Sequence, residues 1–102
     1  MQLEYGYVIG QLVRSKAGRD KDRLFIIIGQ IDDQYVIIAD GDLRRVEKPK
    51  NKKIRHLSRI NQVSGTVEEA LRTGEPLTNA LIRREIESLG NTSSPAVGRN
   101  QR

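Results

Sequence analysis

Val13-Arg14-Ser15-Lys16-Ala17-Gly18-Arg19-Asp20-Lys21-Asp22-Arg23-Leu24-Phe25-Ile26-Ile27 links two apolar segments through a stretch dense in cations. Arg23–Ile28 is rich in β-branched and aromatic residues and reads as a strand. Val8–Val13 reads as the strand before it, while Gly18 and Asp20 between them favour a loop. Lys16, Arg19, Lys21 and Arg23 lie in or beside that loop. A strand-loop-strand unit of this kind holds cations and free backbone N–H groups at fixed positions, where phosphates can meet them. The pattern equally describes a solvated hairpin whose charges only confer solubility, and charge alone does not separate the two.

Downstream, Asp32-Asp33 breaks the chain and Tyr35–Ala39 is the returning strand, followed by Asp40-Gly41-Asp42 with the residues of a tight turn. The apolar runs do not alternate. Leu24, Ile26 and Ile28 therefore face one side and Phe25 and Ile27 the other, so both sheet faces need cover. A small barrel would bury one set inside, with a helix packed over the other. Thr66 and Glu69 fit a capping box for a first short helix that Gly74 closes. Thr78 begins a second helix, with a hydrophobic staple from Leu77 to Ile82 and an apolar stripe of Ile82, Ile86 and Leu89. Gly90 is its expected stop, and 91–102 reads as a disordered tail.

The 102 residues carry 18 Lys+Arg, 13 Asp+Glu, one His and no Cys, with 36% apolar and 30% charged residues. That describes a small basic domain with a modest core. Without Cys there is no disulfide framework and no thiolate chemistry, and cytoplasm is the expected location. No apolar stretch approaches the roughly 18 residues of a membrane span, and the start lacks a signal-peptide pattern. The charge is uneven: residues 1–60 carry the whole net +5, while 61–102 are neutral. Arg44, Arg45, Lys48, Lys50, Lys52, Lys53, Arg55 and Arg59 stand against Glu47 alone, a net +7 that favours an anionic partner. Pro49 biases Lys48 toward extended backbone, so the segment can track a phosphate chain; a charged linker is the competing reading.

Catalysis is not expected. His56 lies beside Arg55, where positive neighbours favour the neutral ring, and it reads as a surface or phosphate-contacting imidazole. The pairs Asp20/Asp22, Asp32/Asp33 and Asp40/Asp42 sit at turns, where Asp bonds its own backbone, and imply no metal. Nucleotide-binding glycine loops and nucleophile elbows are absent, and no cofactor is implied. Phe25 and Tyr35 read as core, and nothing places Tyr5 and Tyr7 near the basic face. With so few stacking platforms, shape and phosphate recognition of folded RNA fits better than reading a single strand.

The quoted segment resembles a KOW motif, the strand-loop-strand unit of several large-subunit ribosomal proteins and transcription elongation factors. The likeness lies in Val13, Ser15, Gly18, Arg19, Asp20, Lys21, Arg23 and Leu24–Ile28. From about Val8 to Leu89, including Ile38–Arg45 and Leu77-Thr78-Asn79, the chain is similar to small bacterial KOW-domain RNA-binding proteins. The resemblance implies an SH3-like β-barrel and contact with ribosomal or other structured RNA. Joined to the reading of the residues, this gives a mainly β fold, an SH3-like barrel with a basic extension over 1–60 capped by two short C-terminal helices over 61–90, that binds structured RNA, most naturally ribosomal RNA, without catalysis, with ribosomal proteins as further partners and no membrane contact. Arg14, Ser15, Lys16, Gly18, Arg19, Lys21 and Arg23 would set the loop on phosphates, and Arg44, Arg45, Lys48, Lys50, Lys52, Lys53, Arg55, His56 and Arg59 would supply the attraction. One departure is Asp22, where the motif has Gly; a Gly there is expected either at positive φ, which Asp tolerates, or where a ligand approaches closely, and the Asp charge opposes phosphate. A protein-interaction module docking through Ile82, Ile86 and Leu89 is the rival reading.

Overall fold

A computed structural model describes residues 7–92. Five antiparallel strands, β1 (Gln11–Ser15), β2 (Leu24–Gln30), β3 (Tyr35–Ala39), β4 (Lys50–Lys53) and β5 (Leu57–Val63), form one sheet in the order β4-β3-β2-β1-β5. Helices α1 (Gly65–Thr73) and α2 (Asn79–Thr92) follow. A 3₁₀ turn, Ile54–His56, joins the two edge strands, which pair with β3 and β1 and not with each other. The sheet is therefore open, and the closed barrel of the sequence reading is not formed by its hydrogen bonds. No helix of the described residues is long and apolar enough to cross a membrane.

The non-alternating strands do bury both faces. Phe25, Ile27, Val13, Val36 and Ile38 join Tyr7, Ile54 and Leu57 in one core. Ile26 and Leu12 lie on the opposite face with Val67 of α1 and Ile82 of α2, flanked by Leu24, Ile28, Leu77, Ile86 and Leu89. The stripe Ile82/Ile86/Leu89 thus covers the chain's own sheet, which takes from the rival reading the surface it needed.

Two register shifts bend the ladder. Between Gln11 and Val13, β5 carries the excess, and Gln11 answers it by donating Nε2 to the carbonyls of Ile60 (2.5 Å) and Gln62 (3.1 Å). Carbonyls lost from the ladder are thereby satisfied. The strand β5 carries no period-two pattern in the sequence, since Leu57–Val63 is apolar only at Leu57, Ile60 and Val63.

Helix ends differ in detail from expectation. Ser64, not Thr66, caps α1: its Oγ accepts from the Val67 amide at 3.0 Å and donates to Glu85 Oε1 at 2.7 Å, tying the two helices together. Thr78 does cap α2, accepting from the Leu81 amide at 3.1 Å, and Gly74 does close α1 in the left-handed region. Gly90 does not stop α2, which continues to Thr92. A side chain there would come within 3.1 Å of Leu24 Cδ1, so this glycine permits close helix-on-strand packing. Asn91 and Thr92, the first two residues of the tail expected over 91–102, belong to α2, and Tyr5 and the rest of that tail lie outside the described residues.

Candidate nucleic-acid interface

The β1–β2 loop is closed by its own backbone. The amide of Ser15 donates to Arg23 O (3.0 Å), that of Asp22 to Ser15 O (2.8 Å), and that of Arg23 to Asp20 O (2.9 Å). Ser15 is buried and donates Oγ to Ala17 O at 3.0 Å, so it braces the loop from beneath. Gly18 turns the chain at φ 83°, and Asp22 at 73° is the one non-glycine with positive φ among the described residues. The motif position expected in the left-handed region is in that region, with Asp occupying it.

Asp22→Gly relieves a left-handed cost of about 1–2 kcal/mol against about 0.5–1 kcal/mol of added chain entropy. The variant should be more stable by up to about 1 kcal/mol in urea unfolding, and it removes a negative charge from the loop. Unchanged or lower stability would show that Asp22 earns its conformation through contacts of its own.

Side chains then clamp the loop on two flanks. Asp20, 2% exposed, receives the guanidinium of Arg44 at 3.1 Å from the turn after β3. On the other flank, Lys52 of β4, 8% exposed, donates Nζ to Ala17 O at 3.1 Å, and the Lys16 amide donates to His56 O at 2.8 Å. Lys52 points this way because it pairs with Val36, whose side chain enters the Phe25 core. The loop and the β4–β5 corner are brought together by these bonds into one surface.

A second ion pair stands beside the first. Arg23 meets Asp40 at 2.7 Å and Asp42 at 3.6 Å, and Asp40 also accepts from the Asp42 (3.0 Å) and Arg44 (2.7 Å) amides. Burial pushes the Asp40 carboxyl upward, but Arg23 and those two amides outweigh it and hold it below its ordinary value of 3.8. The same bond raises Arg23.

Because the native carboxyl binds its proton less readily than the unfolded one, its stabilisation is complete above the unfolded value and vanishes as pH falls through the folded one. The urea midpoint should hold from neutrality to about pH 5 and fall below about pH 4. Asp40→Asn should cost about 1–2 kcal/mol at neutral pH, allowing for the half-exposed Arg23, and lose less on acidification. An acid profile identical to that of the unaltered protein would refute this role.

The sequence-assigned cations thus divide. Arg23, Arg44 and Lys52 hold the loop, and Arg45 lies 3.5 Å from exposed Glu47. Arg14 is exposed and reaches Asp22 O at 3.4 Å. Lys16, Arg19, Lys21, Lys48 and Arg55 are exposed, Lys50 and Lys53 half-buried, and none of these seven has a carboxylate partner among the described residues. Lys53 Nζ lies 5.7 Å from the Tyr35 ring centre. His56 is half-buried in the corner, and Arg59 is exposed on β5 opposite Val13. Burial raises the Tyr7 hydroxyl and the charge of Arg59 opposes it. Asp20, one of the residues that carry the motif resemblance, anchors the loop from within through Arg44, while Tyr7, which the sequence does not place near this surface, is packed beneath it in the Phe25 core. The signal for Tyr7 is local only, an aromatic just before the first strand.

The chain was compared with known proteins. No protein-family model matches it. A Bacillus subtilis (strain 168) protein named "Putative ribosome-binding protein YbzG" is 31% identical over 72 residues, which are 71% of this chain and 97% of that protein. With nearly the whole of that relative aligned at this identity, the chain belongs to the same family as YbzG.

Proposed function

We propose that the protein binds structured RNA of the ribosome without catalysing a reaction, on a KOW-type, SH3-like scaffold. One observation carries the reading. The β1–β2 loop and the β4–β5 corner, far apart in sequence, are hydrogen-bonded into one surface by Lys16 with His56 and Lys52 with Ala17. Among the described residues, Lys16, Lys53 and Arg55 at the corner and Arg19 and Lys21 in the loop have no carboxylate partner, while Asp20, Asp40 and Asp42 are engaged by Arg44 and Arg23. A rigid cationic face of this kind meets phosphates at fixed spacing and attracts a polyanion at long range. The positive φ of Asp22 supports the KOW assignment, and the ribosome-binding name of the family member YbzG supports the ribosome as the setting.

Contact with about five phosphates gives a slope of about −3.5 to −4.5 in log K against log salt. Anisotropy titrations with ribosomal RNA fragments, and co-sedimentation with ribosomal subunits over the same salt range, should both follow it. Affinity indifferent to salt would sink the proposal. Binding to subunits that persists after the cationic face is reversed would favour a protein partner instead.

A further inference from the structure

Lys52 is 8% exposed and has no carboxylate partner among the described residues. A buried ammonium is ordinarily matched by a carboxylate or by several acceptors, because leaving water is far more costly for a charge than for a neutral group. Here a single acceptor is found. Lys52 Nζ donates to Ala17 O at 3.1 Å, and that oxygen also accepts from Ser15 Oγ at 3.0 Å. An ammonium has three N–H groups to place, so two of those on Lys52 have no acceptor among the described residues.

The way to them passes over Gly18. This residue has φ 83°, and a methyl group on it would stand 3.6 Å from Lys52 Nζ with, its chain neighbours apart, no other heavy atom within 4 Å. Any side chain at position 18 would fill that space and cover the ammonium; glycine leaves it open. Gly18 is itself exposed, so the approach is from solvent. A ligand oxygen in the place of the missing methyl, slightly deeper, comes within hydrogen-bond reach of Nζ.

The surroundings select the ligand. Lys16, Arg19 and Lys21 are exposed in the same loop and have no carboxylate partner among the described residues. Asp20 is turned inward to Arg44, which leaves exposed Asp22 as the opposing charge. A phosphoryl group suits this shape, since one oxygen reaches inward while the others stay outside among the flanking cations.

We propose that Gly18 and Lys52 form a seat for a single phosphoryl oxygen, with the buried ammonium as its donor. The proposal rests on the RNA reading above for the source of the phosphate, and it adds one fixed point of registry to an otherwise diffuse attraction.

Two probes test it. Inorganic phosphate is titrated into the unaltered protein against chloride of matched ionic strength, with the Gly18 amide and the Lys52 ammonium followed by NMR. Both signals should shift in a saturable way. The second probe is a ribosomal RNA fragment. Gly18→Ala keeps every charge but covers the ammonium, so it should lower RNA affinity about fivefold near 0.15 M salt and make the salt slope shallower by about 1. Lys52→Met should do the same, with Ser15 Oγ still satisfying Ala17 O. Urea unfolding checks that both variants are folded. Absence of the phosphate shifts, together with RNA affinity within about twofold of the unaltered protein in Gly18→Ala, overturns the seat and leaves RNA binding in place. Saturable phosphate shifts without RNA binding at about 50 mM salt keep the seat for a free phosphoryl ligand and overturn the RNA reading.

Discussion

Reversing Lys16, Lys53 and Arg55 to Glu lowers RNA affinity by roughly two orders of magnitude near 0.15 M salt. Each phosphate contact releases about 0.9 of a counterion on duplex RNA treated like B-form DNA, a factor of about 5 at that ionic strength, and three such contacts multiply. The salt slope should become shallower by about 3, because the lost contacts no longer release ions. The fold should tolerate the change: Lys16 and Arg55 are exposed, and Lys53 contributes only an aromatic contact with Tyr35 at 5.7 Å. Arg72 and Arg84, exposed on α1 and α2, provide the control. Reversing them changes net charge in the same sense on the two helices, outside the loop and the corner in sequence. An equal loss per charge in that control would mean that affinity follows total charge and that no localised interface exists. A loss confined to Lys16, Lys53 and Arg55 would place the interface where the hydrogen bonds of Lys16 and Lys52 assemble it.

Gly41→Ala should destabilise the protein by about 3 kcal/mol, the largest effect expected of a Gly→Ala change among the described residues. Gly41 has φ 77°, and a methyl group there would run into the carbonyl oxygen of Asn79 and come within 3.0 Å of Arg83 Cγ. The first contact is with the backbone of α2, which cannot rotate away. That helix is docked here by Asn79, which accepts from the Val46 amide at 2.8 Å and donates to Glu47 at 2.9 Å, and by Arg83, which donates to Gly41 O at 2.5 Å. Left-handed backbone costs a non-glycine about 1–2 kcal/mol, and displacing a packed helix adds about 1–3 kcal/mol. For a domain of this size the melting temperature should fall by about 15 °C. Gly74 has a similar φ of 82° but nothing within 4 Å of an added methyl, so Gly74→Ala isolates the conformational part and should cost only about 1 kcal/mol. Similar losses in the two variants would show that the approach to Asn79 is relieved at no cost, against this account of how α2 is seated.

Much of this architecture is legible in short-range patterns. The unbroken apolar run Leu24–Ile28 requires cover on both sheet faces, because successive side chains point to opposite sides, and both faces are covered. Thr78 before an apolar helical stripe marks the start of α2, since a hydroxyl there satisfies a free amide whatever surrounds it. The left-handed backbone at Asp22 is one of the two roles that the resemblance to the motif leaves open for that position, and the structure shows it. Other features lay beyond such patterns. Ser64 caps α1 in place of Thr66, and its hydroxyl also reaches Glu85, 21 residues away. Gly90 reads as a stop, yet it is a packing surface for Leu24.

The division among the cations is the clearest case. Composition by itself determines that an excess of positive charge sits between Arg44 and Arg59, and periodicity determines that strands and helices bury two apolar faces. Only the tertiary structure decides that Arg44 is drawn to Asp20 across 24 residues and Lys52 to Ala17 across 35, leaving Lys16 and Arg55 to face outward. The reason is physical. Secondary-structure preference acts over a few residues, whereas whether a charge is bound internally depends on which partner the folded chain carries to within about 3 Å of it.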